Sequence, residues 1–213
     1  MMINARKNEH KKQSRVLTII AKIVRILSVP PLMVTMLAVV IELGKGDVFR
    51  SWQELAVFWI CLALIPVLAY PLTVLFPALK KEGREGERNT AFVTSTVGYF
   101  LGLGCALISR NPHLIFVTGT YVCSVALLLV WNKLLKIRSS GHGCSVVGPF
   151  AFGIWYFGLP AVLPCVILYA LILWASLYLK RHTLREFLGG SLICLIAMGI
   201  SWLLCLASGV MPA

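Results

Sequence analysis

Apolar positions in this chain come in long blocks, and charged positions gather in the short stretches between them. From residue 16 onward the blocks run over residues 16–43, 55–79, 90–108, 114–135, 143–158, 159–179 and 184–208. About twenty apolar residues at 1.5 Å each cross a hydrocarbon layer of about 30 Å. Each block therefore predicts a membrane-crossing helix, and the expected fold is an all-α polytopic bundle of six to seven transmembrane helices. The 41 residues between Arg138 and Lys180 carry no charge. As one helix they would rise about 60 Å, roughly two crossings, so Gly158-Leu159-Pro160 is read as the turn between them. The block before that turn is the shortest and the weakest of the seven.

Local signals refine this outline. Pro30-Pro31 predicts a kink in the first span. The second span holds Pro66, Pro71 and Pro77, which a bundle tolerates where neighbours satisfy the freed carbonyls. Gly98 and Gly102 are spaced to let another helix approach closely. Arg110 to His113 reads as a tight turn, and Trp52 stands where an interfacial aromatic belongs. Residues 1–15 are polar and basic and read as a tail, leaving residues 16–213 as a single membrane domain. There is no internal repeat. The first apolar block lacks a small-residue cleavage site and is read as a signal anchor.

Composition agrees with a membrane protein: 59% of residues are hydrophobic and the mean hydropathy is +0.86. Twenty Lys and Arg against eight acidic residues give a net charge of +12. In a membrane protein that excess points to the bilayer's anionic headgroups or a phosphate-bearing substrate, and away from nucleic acid. Asp47 is the single aspartate, which weighs against chemistry built on clustered carboxylates and a divalent metal. The seven cysteines lie scattered in apolar blocks without a Cys-x-x-Cys pair, so no zinc site, redox motif or other cofactor is expected.

Counting crossings makes a geometric prediction. Two spans separate the cluster at residues 80–88 from that at 136–142, and two more separate the latter from 180–186. An even number of crossings returns the chain to the same side, so all three clusters and the N-terminus should share one face. That face carries fifteen of the Lys and Arg residues, whereas Lys45, Arg50 and Arg110 lie opposite. The positive-inside bias makes the rich face cytoplasmic, in a plasma or inner membrane.

The three clusters carry candidate chemistry. In Lys180-Arg181-His182-Thr183-Leu184-Arg185-Glu186, His182 and Glu186 are four apart and would share a helix face. A carboxylate there can accept the proton of one imidazole nitrogen and leave the other free to attack. Alone, this stretch reads equally as a basic loop at a membrane surface. A second stretch, Lys136-Ile137-Arg138-Ser139-Ser140-Gly141-His142, favours the chemical reading.

Together the clusters resemble the type 2 phosphatidic acid phosphatase superfamily over roughly residues 81–190. Lys81 and Arg88 have the spacing of its first motif, with Asn89 where that motif has proline. Ser139-Ser140-Gly141-His142 is similar to its Pro-Ser-Gly-His motif, with Ser139 in place of proline. Alignment of its third motif on His182 puts Ala175 and Ser176 where Ser-Arg stands, and Glu186 where Asp stands. The resemblance implies an integral membrane lipid phosphatase that works through a phosphohistidine on His182. Phosphoryl transfer needs a nucleophile, an acid for the leaving oxygen and fixed positive charge. His182 would attack, Glu186 would steady its ring, and His142 would protonate the leaving alkoxide. Lys81, Arg88, Ser140 and Gly141 would bind the phosphate oxygens, with Lys136 or Arg138 replacing the missing arginine. No metal is required. Phosphatidic acid, phosphatidylglycerol phosphate and polyprenyl diphosphate are the candidate substrates.

Two other readings remain. The missing arginine and the changed carboxylate fit a non-catalytic lipid-phosphate binder of the same fold. A small transporter would want ionisable residues within the spans, and between residues 90 and 179 nearly all charges sit at span ends. His10 and His113 lie in the tail and a turn, with no partner in the sequence to give them chemistry.

Overall fold

The computed structural model describes residues 2–76 and 83–210, with side chains from residue 15 onward except that of Arg84. Among these residues there is helix and no strand. The helices are α1 (Met2–Leu27), α2 (Pro30–Gly44), α3 (Trp52–Leu75), α4 (Gly83–Ser109), α5 (Pro112–Leu134), α6 (Gly141–Phe157), α7 (Leu159–Tyr178) and α8 (Leu184–Ala207). The basic segment expected as a tail continues α1 back to Met2. Helices α3, α5, α7, α8 and α4 from Glu85 are long and apolar enough to cross a membrane. Helices α1 and α2 reach that standard only as a pair, bent by 63° at Ser28-Val29. The result is a helical membrane bundle. Its outer surface is apolar, with Val93, Phe100, Leu163, Ile167, Leu195 and Leu203 all exposed, as a lipid-facing wall requires.

Local chemistry sets the helix ends and breaks. Pro30 and Pro31 occupy the first turn of α2, where their missing N–H groups cost nothing, so the expected kink becomes a clean break one residue earlier. In α3 the helix widens to a π-turn over Ile60–Leu64 just before Pro66, then breaks at Leu68 before Pro71. Each proline removes an N–H and crowds the carbonyl four residues back, and these irregular turns absorb both effects. Gly98 lies against the Cys61 carbonyl of that π-turn and Gly102 against Leu62 and Thr118, so the partner of the small-residue pair is α3. Gly158, at φ +67°, makes the turn from α6 into α7.

Helix α6 has 17 residues, about 26 Å of rise, and is the short element expected before that turn. It still runs the length of the bundle. At its end the Phe157 ring packs under Gly44, and the Tyr156 hydroxyl lies 3.4 Å from His113 Nδ1. Asn111 locks this end. It is fully buried, and its Oδ1 accepts the His113 and Leu114 N–H groups at the head of α5. Its Nδ2 donates to the Val48 carbonyl (2.9 Å) and to Glu54 Oε2 (2.7 Å). Helix α8 packs chiefly on α5 and α6. The main core, around Leu62, Phe116, Val117 and Phe152, sits between these helices and α2, α3 and α4. With one end fixed, the other end brings together the α1–α2 break, the heads of α4, α6 and α8, and the last turns of α5 and α7.

Candidate functional site

Two pairs of backbone contacts build the site from below. A Cβ on Gly143 of α6 would strike the Phe187 carbonyl of α8, and one on Gly190 of α8 would strike the Ser140 carbonyl. Only glycine permits so close a crossing of two helix heads. The Ser140 N–H then donates to the Glu186 carbonyl across the crossing (2.8 Å), and Ser140 Oγ caps α6 by accepting the Gly143 N–H (3.0 Å). As a result His142, in the first turn of α6, faces His182, just before α8. Their rings are nearly parallel, 13° apart, with centroids separated by 6.5 Å.

Glu186 has three neighbours. It completes a capping box with Thr183, its Oε2 accepting the Thr183 N–H at 2.9 Å while Thr183 Oγ1 accepts the Glu186 N–H. Its Oε1 accepts from Arg138 Nε at 3.0 Å. His182 Nδ1 lies 3.8 Å from Oε2, within ion-pair reach and beyond hydrogen-bond length. The spacing that suggested a catalytic carboxylate is thus also the spacing of a helix cap. On the other side, His142 Nε2 lies 3.3 Å from Ser28 Oγ, at the α1–α2 break. The Ser28 hydroxyl donates to the Arg25 carbonyl (3.2 Å), so the tautomer that satisfies all three groups carries its proton on Nε2.

Both histidines line a cavity of about 810 Å³ together with Arg25, Arg88, Arg138, Lys180, Arg181 and Glu186. Burial, then the Arg25 charge, push the His182 imidazole down to about 4, against the upward pull of Glu186. Burial, Arg25 and His182 also hold His142 well below its usual value. Each imidazole is therefore neutral at pH 7, surrounded by cations that favour an anion in the space between them.

Of the residues singled out in the sequence, His142, His182, Glu186, Arg88, Arg138, Ser140 and Gly141 line this one cavity. Lys136 does not: it terminates α5 in the left-handed region at φ +56°, with its side chain exposed. Lys81 lies outside the described residues. Two departures from the resembled motifs have local reasons. Ser139 donates its N–H to Asn132 Oδ1 (2.6 Å), a bond proline cannot make. Ser176 is fully buried in α7 and does not line the cavity, so an arginine there would enter packed helix. Arg25, half-buried in the last turn of α1, brings its charge to the site instead. Nothing in the sequence signalled this, because the 63° break that turns it inward has no periodic signature.

The fold and the site together define a helical membrane protein with a cationic, two-histidine pocket at one end of the bundle. Compared with family models, curated proteins and solved structures, the chain matches none.

Proposed function

We propose that this chain is a lipid phosphatase that hydrolyses a phosphomonoester or diphosphate at the membrane surface. The observation that carries the reading is the pair of near-parallel imidazoles, 6.5 Å apart, in one pocket with Arg25, Arg88 and Arg138. The phosphoryl group sits between the rings, its oxygens held by those guanidinium groups and by the N–H groups at the head of α6. Binding of the substrate anion brings a proton onto His142; neutral His182 then attacks phosphorus, and the P–O bond to the leaving group breaks as the His142 imidazolium gives that oxygen its proton. His142 then takes a proton from water, which attacks the phosphohistidine and frees phosphate and neutral His182. Glu186 steadies the positive charge on the His182 ring, and Arg138 holds that carboxylate in place through its 3.0 Å contact with Oε1. The excess of cations at this end supports a site and an N-terminus that face the cytoplasm.

Purified protein in detergent is expected to release phosphate from at least one of phosphatidic acid, phosphatidylglycerol phosphate and a polyprenyl diphosphate. His182→Ala abolishes release, and His142→Ala, which loses the acid of the first step and the base of the second, lowers it at least about a hundredfold. Release that survives His182→Ala rejects the mechanism. The 3.8 Å gap between Glu186 and His182 favours a second reading, a lipid-phosphate binder without turnover. Tight headgroup binding with no release across the panel would select it.

A further inference from the structure

The turn that brings His142 into the site is anchored on α5. That helix widens to a π-turn over Val130–Leu134, and residues 135–140 then cross to the head of α6 without helix. Asn132, in the π-turn, holds this crossing, because its side chain accepts the Ser139 N–H at 2.6 Å. An N–H needs an acceptor, so the partner itself settles which end of the amide lies there. Oδ1 is on Ser139, and Nδ2 is turned away from it. Nδ2 has no hydrogen-bond partner among the described residues and keeps accessible surface. Asn132 continues a face of α5 on which Tyr121, Val125 and Leu128 precede it at three- and four-residue steps, and all four line the cavity.

An amide NH2 without a protein partner, on the wall of a cavity shared with Arg25, Arg88 and Arg138, is a donor placed for an anion. We propose that Asn132 is a phosphate-binding residue: its Oδ1 holds the Ser139 end of the turn, and its Nδ2 donates to an oxygen of the phosphoryl group between His142 and His182. The identity of that anion rests on the phosphatase reading; the contact itself needs no turnover. Asn132 differs in kind from the guanidinium groups. A cation attracts an anion from any direction, whereas a donor whose amide is pinned by its own acceptor has one direction and orients what it holds. The pair also gives the serine at 139 a purpose. Proline there, as in the resembled second motif, has no N–H and would leave the amide free to turn. Ser139 and Asn132 therefore work as one unit.

The experiment measures sulfate binding by calorimetry at pH 6 on the purified full chain, on Asn132→Ala, on Ser139→Pro and on the double variant. Ser139→Pro takes away the N–H that Oδ1 holds and leaves Nδ2 in place. If Asn132 served only to tie the turn, its loss would cost nothing further once that N–H is gone. The expected result is that the double variant binds sulfate about ten- to a hundredfold more weakly than Ser139→Pro does. Equal affinity of those two overturns the proposal. Spectroscopy of the unaltered chain gives a reading that no variant's folding can blur. With asparagine labelled by nitrogen-15, sulfate should move the side-chain NH2 signal of Asn132, identified by its absence from the Asn132→Asp spectrum. A signal that stays put overturns the proposal as well. Sulfate binding that depends on Asn132, with no phosphate released from any lipid, would reject the phosphatase reading alone. His182-dependent release from a chain whose sulfate affinity ignores Asn132 would reject the Asn132 contact alone.

Discussion

At the scale of single residues, the low proton affinity of the two imidazoles is the property with the clearest outcome. In the unliganded pocket both are neutral near pH 6, because burial and Arg25 disfavour their charged forms. An anion between them reverses that penalty, so its binding takes up protons and tightens as pH falls from about 8 to 6. Sulfate does not titrate there and is the suitable probe. Calorimetry in buffers of different ionisation enthalpy is expected to show close to one proton taken up per sulfate at pH 6, and much less in His142→Gln. The same shifts affect stability with a definite sign. Between about pH 6.5 and 4 the unfolded chain binds protons that the folded histidines refuse, so stability falls as pH falls through that window. A melting temperature lower at pH 5 than at pH 7.5, with the difference reduced in His182→Gln, checks this. Glu186→Gln separates cap from chemistry. The amide can still accept the Thr183 N–H, so thermal stability should change by no more than about 1 kcal/mol. Phosphate release should nevertheless fall at least about tenfold as the ring loses its anionic neighbour.

At the scale of helices, two glycines on α8 make a matched test. Gly190→Ala drives a methyl group into the Ser140 carbonyl, forcing α6 and α8 apart at a cost of about 1–3 kcal/mol. Gly199, nine residues further along α8, has open space where a Cβ would go. Gly199→Ala should be neutral or slightly stabilising from helix propensity. Thermal denaturation in detergent compares the two, and only the first should also weaken sulfate binding. Elements were legible from sequence because each rests on short-range chemistry. Apolar block length gave α5, α7 and α8. Gly158 gave the turn into α7, and Gly98 and Gly102 gave a close helix contact. Sequence could not say that this contact was to α3, nor that Pro30-Pro31 would produce a break and not a kink, since both depend on what packs nearby. Of the site, the two histidines, Glu186 and Arg88 were readable from spacing. Arg25 was not, because its place at the site arises from the bend between α1 and α2.

At the scale of the whole molecule, the two ends of the bundle differ in kind. One is tied shut by Asn111, Glu54 and Val48. The other is ringed with Arg and Lys and opens on a cavity. The orientation proposed for these ends predicts that Lys45→Cys reacts with a membrane-impermeant thiol reagent in intact cells. Arg181→Cys should react only after the membrane is opened. Labelling of both from outside would place the pocket on the wrong face or in no defined orientation. One hydroxyl, on Ser28, belongs at once to the hinge between α1 and α2 and to the His142 ring. A change in how the basic first helix lies on the bilayer is therefore also a change in how that imidazole is held.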